Sequence, residues 1–241
     1  MDRTTRYEDL LPIQQLTSIE VTIIGVGAIG RQVAIMLASM GVCSLSLYDP
    51  DIVSEENLGP QGYAPIEIGN PKVEALTQEL KRLNPDISVN QYSEKYSPRK
   101  HHINRITFCC VDSITDRKYI GQGILKEGGF FIDGRMAAEF CEIHTPHTPE
   151  EYAKTIFPQE EAYQASCSSK STIYCASIAA GLMVAQYAKW LRSMEIDPFI
   201  SLNILASHID LGITHLIPRW SPGQENEMIN YEGSNHHTRT S

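Results

Sequence analysis

The sequence predicts an α/β protein built on a Rossmann-like, mostly parallel, doubly wound sheet, with antiparallel strands closing it toward the C-terminus. Three observations predict this. Residues 21–24 form a short β-branched run, as a buried strand should, and Gly25, Gly27 and Gly30 come next at the spacing G-x-G-x-x-G. Ile29, Val33, Met36, Leu37 and Met40 then recur at helical spacing. A second apolar run, residues 43–48, ends on Asp49, about twenty residues past the glycines, where a carboxylate can bind ribose hydroxyls. In such a turn the first glycine permits the sharp bend, the second lets backbone approach a phosphate, and the third lets helix pack on strand.

The remaining elements are read in chain order. Residues 6–18 read as a helix or helical turn leaning on the sheet through Tyr7, Leu10, Leu11 and Leu16. Residues 49–69 are dense in Pro, Gly and Asn and read as a loop, long for a strand-to-helix connection and therefore functional in character. Pro71 starts a helix that runs to Leu83 and stops before Asn84-Pro85. A strand at 87–92, a polar stretch at 94–102 and an apolar strand at 106–111 come next, with Asp112 at the carboxyl end of that strand. A helix over 114–126 carries Arg117. Residues 130–133 and 138–144 alternate as strands, joined through Gly134, Arg135 and Met136. Residues 145–171, with Pro146, Pro149 and Pro158 and acids at Glu150, Glu151, Glu160 and Glu161, read as a surface crossover loop. A long helix extends to about Met194, and 199–205, 208–211 and 214–217 read as closing antiparallel strands. Residues 1–222 are expected to form one domain, and 223–241 a polar tail without fixed structure.

Composition narrows the classes of function. The 42% hydrophobic fraction describes a globular chain with a sizeable core. A net charge of −9 with no Lys/Arg cluster argues against nucleic-acid binding. The most apolar window, 173–191, carries Gln186 and Lys189 among Ala, Ser, Cys and Gly, and reads as a buried core helix rather than a membrane span. The charged N-terminus is no signal peptide, and a cytoplasmic protein is expected. The six cysteines include no C-x-x-C pair, which argues against structural zinc. His144 and His147 flank a proline, a poor geometry for two metal ligands.

The connection after Asp49 carries more chemistry than the glycines. Asp49 and Asp51, then Asn57 and Gln61, and then Lys72 after Asn70-Pro71, place two acids, two amides and a cation in one segment. That set suits a triphosphate better than the diphosphate bridge of a dinucleotide: acids hold ribose and help position a metal, and lysine neutralises phosphate. Asp112 falls on the same sheet edge, where ligands bind in open α/β folds, although it also reads as a plain cap for the next helix. Cys167 lies in a polar loop just before the long helix, with Ser169 or Ser171 as its N-cap and Lys170 nearby. Helix N-termini and cations stabilise a thiolate, so Cys167 is a candidate acyl acceptor as well as a candidate inert loop residue. Cys43, Cys109, Cys110 and Cys175 read as core.

These residues resemble the ThiF/MoeB/HesA family, the bacterial relatives of the ubiquitin-activating enzymes. The resemblance spans residues 6–191: Arg6-Tyr7, the GVGAIG turn, Asp49, Asp51, Val53, Asn57 and Leu58 in a D-x-D-x-V-x-x-x-N-L run, Gln61, the G-x-P-K-V-E of residues 69–74, and Val111-Asp112. It implies the activating-enzyme fold and ATP- and Mg2+-dependent adenylation of the C-terminal carboxylate of a small ubiquitin-like or peptide partner. By that resemblance Asp49 holds ribose, Asn57 and Lys72 contact phosphates, and Asp112 binds magnesium. Arg6 reaches the nucleotide of a mate in a homodimer. Cys167 corresponds to the loop cysteine that takes the acyl group in some relatives, with Gly181 keeping its spacing in the next helix.

Two departures set the chain apart. Relatives carry N-L-x-R-Q, with an arginine on the phosphates, where this chain has Pro60. A charge-assisted bond contributes ~1.5–3 kcal/mol, so an unreplaced arginine costs roughly ten- to a hundredfold in rate or affinity. Arg31, directly after the third glycine, is the first candidate to replace it, ahead of Lys72, Arg117 and Arg135. The zinc-binding C-x-x-C pairs of the bacterial members are also missing, which places the chain in a divergent branch like the phage- and operon-associated members. Two other functions compete: a nucleotide-binding scaffold without chemistry, which Pro60 favours, and a nicotinamide-dependent oxidoreductase, which leaves Asn57, Lys72 and Asp112 without a task.

Overall fold

The computed structural model describes residues 4, 6–7, 9–102, 104–156 and 171–211. Eight strands form one sheet in the order β3-β2-β1-β4-β5-β6-β7-β8. They are β1 (Glu20–Ile24), β2 (Ser44–Tyr48), β3 (Ser88–Tyr92), β4 (Ile106–Cys109), β5 (Phe130–Ala137), β6 (Phe140–His144), β7 (Phe199–Asn203) and β8 (His208–Asp210). The first five pair in parallel and the last three antiparallel. The mixed sheet with antiparallel C-terminal strands is the one the sequence predicts.

Helices cover both faces, which is why the central strands are buried at nearly every position, Thr22, Ser46 and Thr107 included. On one face α1 (Ile13–Ser18), α2 (Ala28–Met40), α4 (Lys72–Leu83) and α7 (Ile173–Leu191) bury Leu16, Val33, Leu37, Leu76, Leu80, Met183 and Tyr187 against β1, β2, β4 and β5. On the other, α5 (Ile114–Lys126) and α6 (Pro149–Ala153) pack Ile120, Ile124 and Tyr152 on Tyr48, Cys109 and Phe131. The N-terminal segment is tied down by Tyr7, whose hydroxyl donates to the Met40 carbonyl at 2.6 Å.

Four local readings are corrected. The connection after β2 is not a plain loop: it holds turns at Glu55–Asn57 and Pro65–Glu67 and a one-turn helix, α3 (Leu58–Gln61). Residues 134–136 are not a turn but part of β5, and the hairpin bends at Ala138-Glu139, with Ala138 at φ 55°. Residues 145–156 contain α6, whose Thr148 hydroxyl caps the Glu151 N–H at 3.1 Å. The N-cap of α7 is Thr172, not either serine. Cys167 with Lys170, residues 214–217 and the 223–241 tail lie outside the described residues.

Candidate nucleotide site

The carboxyl ends of β1, β2 and β4 are level: Ile24 pairs with Tyr48 on one side and Cys109 on the other. The segments that leave these three strands therefore meet at one edge. Gly25 turns the chain at φ 84°, a conformation that only glycine adopts freely, and a Cβ there would stand 2.8 Å from the Cys110 carbonyl oxygen. Gly30 is equally constrained, since its Cβ would sit 1.8 Å from the Gly25 carbonyl oxygen. Gly27 differs. It is the N-cap of α2, and a Cβ there would meet only the Gln61 side chain, at 3.8 Å. The space above the helix N-terminus, with its unpaired N–H groups, is thus bounded by Gln61 rather than by core.

Asp49 binds the loop rather than hanging free. One carboxylate oxygen accepts from the Val26 N–H at 2.8 Å and the other from the Asp51 N–H at 2.9 Å. Burial raises its pKa, and the Asp51 N–H, Lys72 and the Val26 N–H pull against that rise. Lys72 opens α4 with its side chain buried and donates from Nζ to Asp51 Oδ2 at 2.9 Å, while its own N–H donates to the Asp51 carbonyl at 3.0 Å. Asn57 accepts through Oδ1 from the Ser54 N–H and hydroxyl, at 2.9 and 3.1 Å. Gln61 keeps a buried Oε1 with no hydrogen-bond partner. Asp112 lies exposed beyond β4, and the capping role belongs to Ser113, whose Oγ accepts from the Asp116 N–H at 3.2 Å. The structure thus brings the glycines, Asp49, Asp51, Lys72 and Gln61 together, with Asp112 two residues past the Cys110 backbone that touches Gly25.

The candidate replacements for the missing arginine all have acidic partners. Arg31 is buried, bonded to Glu79 of α4, with its guanidinium 5.1 Å from the centre of the Tyr63 ring. Arg117 and Arg135 share the fully buried Asp133: Arg117 bonds one oxygen, Arg135 Nε donates to the other at 2.8 Å, and the Tyr152 hydroxyl donates to that second oxygen at 2.9 Å. Burial works to raise the Asp133 pKa, but Arg117, then Arg135 and His144, outweigh it and hold it below the usual carboxylate range. Nothing in the sequence points to this Arg117–Asp133–Arg135 cluster. Its members meet only because α5 packs one turn from the end of β4 while β5 runs alongside. Arg6 is exposed, at the start of the described chain.

Among the described residues no group of three or more His, Cys, Asp or Glu side chains forms a metal cluster. Two cavities lie away from the glycine loop. One, of about 540 Å³, is at the opposite edge of the sheet beside Arg105 and Trp190. The other, of about 660 Å³, lies under β6 and β7.

A doubly wound sheet with a glycine turn, an acid after the second strand and a lysine at the start of the next long helix defines a nucleotide-binding fold of the activating-enzyme kind. Comparison with known proteins bears on which one. A family model described as the ThiF family matches residues 6–210, and the chain belongs to that family. It is 32% identical to ubiquitin-like modifier-activating enzyme 5 of Oryza sativa subsp. japonica, over 81% of this chain and 53% of that protein. The Caenorhabditis elegans enzyme of the same name is 33% identical, over 77% of this chain and 51% of its own length. The chain thus spans about half the length of these relatives. Among solved structures, E. coli MccB with AMPCPP and MccA superposes with a TM-score of 0.73 at 18% identity, covering 87% of this chain and 70% of that one. PaaA superposes at 0.66 and 18%, covering 82% and 64%. These likenesses confirm the fold.

Proposed function

We propose that this protein adenylates the C-terminal carboxylate of a peptide or ubiquitin-like partner, using ATP and Mg2+. The observation that carries this reading is the convergence of Gly27, Asp49, Lys72 and Asp112 on one sheet edge. The orphaned Gln61 Oε1 beside the open Gly27 supports it, because a buried acceptor without a partner marks a place for a ligand donor. The relatives agree in kind: MccB has been solved with ATP and with MccA, and the curated relatives are named as modifier-activating enzymes.

In this reading the α2 N-terminus at Gly25, Gly27 and Gly30 faces the phosphates, Asp49 holds the ribose, and Asp51 and Gln61 border the nucleotide. Asn57 has its carbonyl committed to Ser54, which leaves its NH2 group to offer a phosphate. Lys72 exchanges Asp51 for phosphate, and Arg31 reaches phosphate only by leaving Glu79. Asp112 holds magnesium, which needs few protein ligands when phosphates and water supply the rest. When bound, the metal offsets charge on the departing pyrophosphate. The partner's carboxylate oxygen bonds to the α-phosphorus as the bond to pyrophosphate breaks; the Cys167 sulfur, its proton lost to solvent, then bonds to the acyl carbon as the bond to AMP breaks, and AMP leaves. Arg6 acts across a homodimer. Residues 1–222 form the single catalytic domain. No helix among the described residues is long and apolar enough to cross a membrane.

The test is ATP–pyrophosphate exchange that depends on a peptide or ubiquitin-like protein with a free C-terminus. Exchange is expected, and Asp112→Ala should abolish it while calorimetry still registers ATP. Exchange absent with every partner tried would remove the enzymatic reading. ATP binding without any exchange would favour the scaffold alternative, which Pro60 and the acid-paired Arg31 and Lys72 support.

A further inference from the structure

The cavity of about 660 Å³ under β6 and β7 is not used by the chemistry above, and it falls in the size range of small-ligand sites, roughly 300–1,000 Å³. Its walls are the rings of Pro146, Pro198 and Phe199, with Arg135, Glu142 and His144 among its polar lining. Arg135 donates from Nε to Asp133 and from its two Nη atoms to Thr155, at 2.8–2.9 Å. His144 is only 5% exposed, and its ring centre lies 5.0 Å from that of Phe199.

His144 Nε2 lies 3.1 Å from Glu142 Oε2. That hydrogen bond from His144 is the main cause holding the Glu142 pKa below its ordinary value, so at neutral pH the partner is a carboxylate. A carboxylate only accepts, so Nε2 carries the hydrogen. In the neutral ring Nδ1 is then a bare acceptor, and it is buried with no partner. The site therefore combines apolar ring surfaces with one unanswered request for a hydrogen-bond donor.

Its position relates it to the acyl substrate. His144 pairs with Asp133 and Asp133 with Cys109, three residues before Asp112. Two strand spacings at about 4.8 Å, plus that overhang, put the cavity on the order of 10–15 Å from the end of β4. An extended chain covers about 3.3 Å per residue, so roughly the third to fifth residue from a bound C-terminus reaches it.

We propose that this cavity is a specificity pocket for the adenylated partner and takes an aromatic side chain bearing a donor, tyrosine or tryptophan, three to five residues from the partner's C-terminus. The proposal rests on the adenylation reading for where that C-terminus lies. The test uses N-terminally labelled decapeptides with a free C-terminal carboxylate and Tyr, Trp, Phe or Ala at the third, fourth or fifth residue from the end. Binding is read by fluorescence anisotropy without ATP, and exchange is read separately. At one of those positions Tyr or Trp should bind at least about tenfold tighter than Ala, from ring burial. It should also bind about fivefold tighter than Phe, from the donor. His144→Phe should erase the Tyr-over-Phe preference and keep aromatic-over-Ala; the wild-type comparison decides the matter even if that variant does not fold. A flat profile, as a cavity holding only water would give, overturns the proposal, and so does absence of binding by every peptide. Preference without exchange would leave the pocket standing and remove adenylation, whereas exchange with a flat profile would do the reverse.

Discussion

In the proposed reading Lys72 is a residue that meets an anion. Its side chain is buried and its ammonium bonded to Asp51, whose own side chain is 62% exposed. The lysine is therefore held in place by a partner that water already solvates well, so exchanging that partner for phosphate costs little. Lys72→Met should lower ATP affinity roughly ten- to a hundredfold, the ~1.5–3 kcal/mol of a charge-assisted bond, as calorimetry would record. Asp133 is the opposite case. It is wholly buried between two arginines, so Asp133→Asn should destabilise by about 3–5 kcal/mol, visible as a fall in Tm. Because its folded pKa is depressed, its contribution is complete above the unfolded value of about 3.9 and is lost as pH falls through the folded value. The gap in Tm between wild type and Asp133→Asn should therefore be widest near neutrality and narrow below about pH 4. A gap of constant width across pH 2.5–7 would contradict the charge assignment.

At the level of elements, the glycine turn separates fold from binding. Gly30→Ala drives a Cβ into the Gly25 carbonyl at 1.8 Å and should prevent stable folding. Gly27→Ala meets only Gln61, at ordinary contact distance, so stability should stay within about 1 kcal/mol of wild type, read from Tm, while nucleotide affinity falls. This turn, Asp49 and the start of α4 are legible because strand, glycine spacing and helix period agree over one short stretch. Gly134 misleads for a physical reason. It looks like a turn signal, but its Cβ would stand 2.4 Å from Met183 Sδ, so that glycine serves close packing of α7 on a continuous strand. The true bend, at Ala138, carries no residue type that announces a positive φ. Helix α6 does announce itself, by Thr148 as cap, Pro149 at the first position and two glutamates behind it, but the neighbouring prolines mask the signal.

At the scale of the molecule, the order of strands makes neighbours of residues that no spacing connects. Asp133 meets Arg117 and Tyr152, and His144 lies level with Cys109, only once β5 and β6 are laid beside β4. Periodicity reports which face a residue takes, not which strand lies next to it, so this half of the site is hidden from the sequence. Assembly has its own test. If Arg6 serves the site of a mate, Arg6→Ala and Asp112→Ala proteins should each be inactive in exchange yet recover activity when mixed. Random pairing makes half the dimers mixed, each with one intact site of two, so roughly a quarter of wild-type activity is expected. Recovery that never exceeds the sum of the separate variants would place Arg6 outside the neighbouring site.

The grip of Asp49 on the Val26 and Asp51 amides has a kinetic corollary. Both segments surrender their freedom once, when the chain folds, rather than anew at each encounter with a ligand. The turn is thus a mould cast in advance, and in the proposed reading selectivity among nucleotides falls to the groups that still have to move.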